Sequence, residues 1–415
     1  MTNSANTFKA INLAQEQIAD LESQLLKRKL RATESPCDTK ALVKGRELKA
    51  FCSNDYLGLA NHPELIEALA EGGKKYGVGS GASHLISGHS IAHELLEKQL
   101  ASFQEQHIPN ARALFFSTGY LANLTAITAL ARLAPQKSTS IYSAKLNHAS
   151  LIDGIRLAAA QTQASVSLFD HTNIDSLSEL LKTDQNPLKI IVTDGVFSMD
   201  GDLAPIKELL KLAEQYDALL LVDDAHGFGV LGKLGHGILE QGNICSDRMI
   251  YIGTLGKAAG VSGAFVCAQS TFIEWLIQKG RPFIYSTATP PAIAHTLSKS
   301  LEIISGDEGS NRRTQLNKLI RIWQDEMQFS QWEKVPSCTA IQPVILGSNA
   351  NALLAAQLLD EAGYWIPAIR PPTVPNGSAR LRITFSANHS EADLRQLIIS
   401  LKAIEQQVIE KASHE

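Results

Sequence analysis

Seven short apolar runs between residues 113 and 267, each set off by turns and longer helical stretches, constrain this chain more than any other feature. They are Ala113 to Phe116, Ser140 to Tyr142, Ser165 to Phe169, Lys189 to Thr193, Ala218 to Val222, Met249 to Ile252 and Gly263 to Cys267. Runs of this length read as buried strands, and strands alternating with helices build a mostly parallel sheet between helical layers, an α/β architecture. After Pro290-Pro291 a helical stretch from Ala292 to about Ile304 leads out of that sheet, and the remainder mixes helix with short strands. Three parts are therefore expected: 1–52 as an N-terminal helix and connecting segment, 53–291 as a large domain holding the seven-stranded sheet, and 292–415 as a smaller C-terminal α+β domain.

The two ends read as helices. Ile11, Ala14, Ile18, Leu21 and Leu25 recur at helical spacing ahead of the basic cluster Lys27 to Arg31, which by pattern is solvated surface. At the other end Ser390-Glu-Ala-Asp393 resembles a capping box, with Leu394, Leu397, Ile398, Leu401, Ile404 and Val408 on one face beyond it.

A chain of 415 residues that is 44% hydrophobic can bury a large core. Its formal charge of -4 gives no basic field, so nucleic acid is excluded as a partner. Five scattered cysteines without a CxxC pair argue against a disulfide framework and a zinc-cysteine site, and a reducing cytoplasm is the expected setting. No run of about eighteen apolar residues and no basic-then-apolar start occurs, so neither membrane insertion nor export is expected.

Chemistry gathers behind the apolar runs. Ala218 to Val222 leads into Asp223-Asp-Ala-His226, and Ile250 to Ile252 leads into Gly253-Thr-Leu-Gly-Lys257. Ligand groups collect at the carboxyl ends of parallel strands, so an acid after one strand and a lysine after another can face one cavity. An amine there forms a Schiff base with an aldehyde, and a carboxylate keeps a pyridine nitrogen protonated so that the ring absorbs a carbanion's electrons. That pairing suits pyridoxal phosphate. The cofactor's phosphate needs a cradle, and the strand, turn and helix start of Ala113 to Asn123 offer one, with Gly119 permitting close approach to a helix N-terminus.

Two glycine-rich segments are set aside. Gly77 to Gly88 does not spell a dinucleotide fingerprint and lacks a preceding strand, while Gly253 to Lys257 lacks the spacer and following hydroxyl of a P-loop. His148 can stack on a flat ring, His226 lies three residues past Asp223, and Ser198 follows another strand on the same face. Arg370, among prolines that stiffen the backbone, suits fixed binding of a carboxylate, and Arg380 and Arg382 either form ion pairs or support the same site.

Taken in order, SNDYLGLA from Ser53, GSGASHLISG from Gly79, NHASLIDG from Asn147, VFSMDGDLAPI from Val196, VDDAHGFGVLG from Val222 and GTLGKAAGVSGA from Gly253 resemble the α-oxoamine synthases. These are fold-type-I pyridoxal phosphate transferases that join an amino acid to an acyl thioester with loss of carbon dioxide. Phe283 to Pro291 and Ala368 to Thr384 look most like the members that condense L-alanine with pimeloyl-CoA or a pimeloyl-acyl-carrier protein in biotin synthesis. The resemblance implies Lys257 as the Schiff-base lysine, Asp223 at the ring nitrogen, His226 and Ser198 on the phenolic-oxygen side, and Gly119, Tyr120 and Thr254 on the phosphate side. It implies His148 stacked on the ring beside the substrate, and Asn54, Arg370 and Thr373 in contact with substrate. Arg28 joins them through its basic character and its distance from Ser53-Asn54. The same resemblance implies a homodimer, and Leu255 departs from it by standing where an aromatic residue is common. A sister synthase such as a glycine C-acetyltransferase, or an idle cofactor binder, is the rival reading.

Overall fold

The computed structural model describes residues 8–412. At its centre lies a seven-stranded sheet whose spatial order is Ala111–Phe116, Ala264–Gln269, Met249–Thr254, Ala218–Asp223, Leu188–Asp194, Thr139–Ala144 and Ser165–Phe169. Ala264–Gln269 runs antiparallel to both its neighbours, and the other pairings are parallel. Six strands therefore end on the same edge.

The inner strands are buried on both faces, which is why they read as unbroken apolar runs rather than alternating ones. Alternate residues still part company. Ile191, Leu220, Val222 and Tyr251 enter one core cluster, and Ile190, Val192, Leu221 and Ile250 enter the other. Ser165–Phe169 departs from expectation: it is the edge strand, with Val166 at 42% and Leu168 at 61% exposure, because nothing pairs beyond it to cover its outer side.

Pro291–Ser305 forms the expected helix and packs on Pro63–Tyr76 and Ile91–Gln104. The C-terminal region builds an antiparallel sheet ordered Glu333–Lys334, Ile341–Gly347, Ala379–Thr384, Ala368–Ile369. Arg46–Ala50 pairs in parallel with Tyr364–Trp365, so a strand from near the start of the chain joins residues from near its end. The last helix, Glu391–Ala412, buries all six apolar residues of its predicted face. At its start Asp393 N–H donates to Ser390 Oγ at 3.0 Å, and Ser390 Oγ–H donates to Asp393 Oδ2 at 2.7 Å.

Lys9–Ser23 is helical but buries none of its residues, and Ile11, Ile18 and Leu21 stay between 43% and 49% exposed. The basic cluster behind it is partly engaged rather than simply solvated: Arg31 pairs with Asp360 and lies 4.9 Å over Trp365. Among the described residues all five cysteines are free, and no helix is long and apolar enough to cross a membrane.

Candidate active site

The carboxyl ends of the parallel strands deliver the chemistry to one place. Asp194 and Asp223 end adjacent strands and face each other in register. Asp223 is buried, its Oδ1 accepts from Ala225 N–H at 3.0 Å, and its Oδ2 accepts from Asn123 Nδ2 at 2.6 Å. Asn123 comes from the helix Gly119–Leu130 and also donates to Ser150 Oγ at 2.8 Å. Two donors thus fix the Asp223 carboxylate in one orientation.

Lys257 stands just past the strand Met249–Thr254, in a turn closed by Gly260 N–H donating to the Lys257 carbonyl at 2.9 Å. Gly260 has φ +71, and a Cβ there would lie 2.5 Å from the Leu59 carbonyl carbon, so the lysine turn packs directly on the backbone of the loop holding Asn54 and Tyr56. Lys257 Nζ is 2.9 Å from His226 Nε2, and His226 Nδ1 is 2.5 Å from the Tyr56 hydroxyl. Tyr56 O–H donates to Asn54 Oδ1 at 3.1 Å, which also accepts from Arg382 Nη1 at 3.1 Å. With the Tyr56 proton on Asn54, His226 donates from Nδ1 and accepts from the lysine at Nε2, a single consistent tautomer.

Burial lowers the Lys257 amine to about 8, against the raising effect of Asp223 and Asp194. Burial also holds His226 well below the ordinary histidine value, helped by the nearby Lys257 charge. The Asp194 carboxyl is pushed well above its ordinary value by burial and by Asp223. A nucleophilic amine, a neutral imidazole and an oriented carboxylate therefore share one pocket.

His148 caps the helix Ala149–Thr162; its backbone N–H donates to Asp194 Oδ2 at 2.6 Å, and its Nδ1 lies 2.7 Å from Ser150 Oγ. Burial lowers its pKa, and the Asp223 charge opposes that shift. On the opposite side Gly119 opens its helix, with Thr118 Oγ1 accepting from Leu121 N–H at 3.2 Å. A Cβ on Gly119 would sit 3.9 Å from Thr254 Oγ1, so these two predicted phosphate-side residues are neighbours across the sheet end. Tyr120 is half exposed and hydrogen-bonds Asp153. Ser198 is half-buried, and its carbonyl accepts from Arg382 Nε at 2.7 Å.

The remaining predicted residues form a second group. Arg28 Nη2 donates to Thr373 Oγ1 at 3.4 Å, and Arg370 donates to the Leu25 carbonyl while its buried Nε has no protein partner. Burial and the neighbouring Arg28 charge lower Arg370. The strand Ala379–Thr384 connects the groups: it pairs with Ala368–Ile369 beside Arg370 and carries Arg382 to Asn54 and Ser198. Arg380 instead bonds the Met199 carbonyl and pairs with Asp200 at 2.7 Å, the first of the two roles left open for it.

Sequence reasoning did not single out Asn123, Tyr56 or Asp194. Asp194 had a findable signal, since it ends one of the apolar runs just as Asp223 does.

Residues 47–401 match the family described as aminotransferase class I and II. An 8-amino-7-oxononanoate synthase of Janthinobacterium sp. (strain Marseille) is 52% identical over 95% of this chain and 98% of its own. Another, of Polaromonas naphthalenivorans, is 54% identical over 94% and 97%. Among solved structures, the Sphingomonas wittichii serine palmitoyltransferase superposes with a TM-score of 0.84 at 26% identity, covering 98% of this chain and 99% of its own. The 8-amino-7-oxononanoate synthase of Francisella tularensis gives 0.72 at 29% identity, covering 88% and 99%. The chain belongs to the class I and II aminotransferase family and, within it, to the 8-amino-7-oxononanoate synthases.

Proposed function

We propose that this protein condenses L-alanine with a pimeloyl thioester, releasing carbon dioxide and free thiol and forming 8-amino-7-oxononanoate for biotin synthesis. The observation that carries the reading is the Lys257 amine, lowered to about 8 and 2.9 Å from His226, in a pocket that also holds the oriented Asp223 carboxylate. It is joined by relatives of that activity at 52% to 54% identity over almost the whole chain.

The donor set fits pyridoxal phosphate: a lysine amine for its aldehyde, a buried carboxylate for its ring nitrogen and a helix N-terminus at Gly119 for its phosphate. When bound, the cofactor supplies an electron-absorbing ring conjugated to the captured amino group. Lys257 would take the proton from the substrate's α-carbon, with His226 Nε2 2.9 Å from its amine. Asp223 would accept from the protonated ring nitrogen, with Asn123 fixing the direction of its carboxylate. His148 would cover the ring face, His226 and Ser198 would serve the phenolic-oxygen side, and Gly119, Tyr120 and Thr254 would hold the phosphate. Arg370, with Arg28, Thr373 and Asn54, binds the substrate's carboxylate and acyl portions, and the free Nε of Arg370 is a donor suited to an anionic oxygen.

The working unit is a homodimer in the cytoplasm. Exposed Val78, Ile86 and Tyr285 support the dimer, because they lie on two segments joined by the Ser83 to Thr287 bridge and a second copy would cover them. Cofactor-loaded protein mixed with pimeloyl-CoA and either alanine or glycine tests the reaction, with the amino ketone identified by mass spectrometry. The alanine-derived product is expected. Turnover of glycine with acetyl-CoA instead would reassign the chain to a sister synthase.

A further inference from the structure

Three histidines away from Lys257 meet where the segment 77–90 turns into the next helix. His84 Nδ1 and His89 Nδ1 are 3.0 Å apart, and His84, His89 and His93 each present one nitrogen within 4.8 Å of the others'. We propose that His84, His89 and His93 form a binding site for a divalent transition cation of the zinc class. None of the three is among the residues proposed for the condensation.

The surroundings match what a metal requires of histidine. A tetrahedral zinc holds its nitrogens at about 2.0 to 2.1 Å, which sets them about 3.3 Å from one another, so the His84 and His89 pair is already near that spacing. His93 donates Nε2–H to the Thr289 carbonyl at 2.7 Å, leaving Nδ1 as its lone-pair nitrogen. A carbonyl thus backs His93, and His89 Nε2 has the Glu97 carboxylate 3.9 Å away, within ion-pair reach though beyond hydrogen-bond distance. Such outer partners orient metal-bound imidazoles. The ring of His84 is fixed by stacking on Phe283 at 4.6 Å.

His89 is exposed and borders a cleft of about 800 Å³ with Glu94, Glu97 and Arg112, which gives an entry path. Binding must displace the Ser90 N–H and hydroxyl that now lie 3.0 and 3.1 Å from His93 Nδ1. His62, Glu64 and Glu308 make a second cluster of potential ligands, but Arg312 already donates to the Glu308 oxygen that faces His62. That fixed cation makes it the natural control.

The test uses cofactor-loaded protein, so that Lys257 and its neighbours are occupied, dialysed against Co2+ or Zn2+. Bound metal is counted by mass spectrometry, and the Co2+ absorption reports the ligand geometry. One ion per chain is expected, in a four- or five-coordinate site. His89→Ala, which alters an exposed side chain outside the core, should weaken binding by at least about a hundredfold, and Glu97→Gln by about tenfold to a hundredfold. His62→Ala should leave the affinity unchanged. Equal affinity of His89→Ala and the parent, loss of binding in His62→Ala, or no ion retained at micromolar metal would each overturn the site.

Discussion

The residues around Lys257 and those around Arg370 are held in different ways. Asp223, Asp194 and Thr254 end sheet strands, and Lys257 follows the last of these in a tight turn. The Asp223 carboxylate accepts two hydrogen bonds, one of them from the buried Asn123. Arg370, Thr373 and Arg28 sit on loops and the N-terminal segment, and the described link between the last two is one bond of 3.4 Å. The proposed reacting groups therefore rest on the stiffest part of the fold, while the residues proposed for substrate recognition rest on loops outside the central sheet. Mutations should separate the two regions by which kinetic constant they move.

The largest effect is expected from Lys257→Ala. Removing the proton-transfer group should lower kcat by about a hundredfold to ten-thousandfold, measured as product formed per bound cofactor. Turnover near the parent rate would show that another group moves the proton.

Next comes pH. The folded value of Lys257 is lowered to about 8, so the neutral amine prevails above that value and is lost as pH falls through it. Capture of pyridoxal phosphate by cofactor-free protein should therefore speed up about fiftyfold from pH 6 to pH 8 and level off beyond. A profile that keeps climbing to pH 10 would mean the pocket does not depress the amine.

Arg370→Ala should raise KM for one substrate by about tenfold or more, the cost of a charged hydrogen bond, with a smaller change in kcat. Which KM rises, alanine's or the thioester's, sharpens the assignment of the outer region. An equal fall in kcat instead would erase the contrast between the two groups. Tyr56→Phe is the mildest: it keeps the ring and removes the hydroxyl that faces His226 Nδ1 at 2.5 Å. A fall of about fivefold in kcat/KM is expected from one lost neutral hydrogen bond. An unchanged pH profile and rate would show that His226 keeps its tautomer without it.

The inner site was largely legible because its members follow buried strands, and a run of apolar residues announces its own end. Asp223, His226, Lys257 and His148 were singled out in that way. Tyr56 was not, because its partner His226 lies 170 positions away and no local pattern links them. Asn123 was hidden for the same reason: on a helix filled with small and apolar residues it looks like one polar exception until the fold turns it onto Asp223.

Local periodicity and the chemistry of short motifs are properties of neighbouring residues, so the seven strands, the last helix and the candidate reacting groups could be read from the chain alone. Which strand lies at an edge, and which distant groups share a pocket, depends on contacts between segments far apart in the chain. Only the tertiary structure left Leu168 uncovered, paired Arg46–Ala50 with Tyr364–Trp365 and brought His84, His89 and His93 together. Burial follows from the same packing, and it is burial that moves the Lys257 amine to about 8.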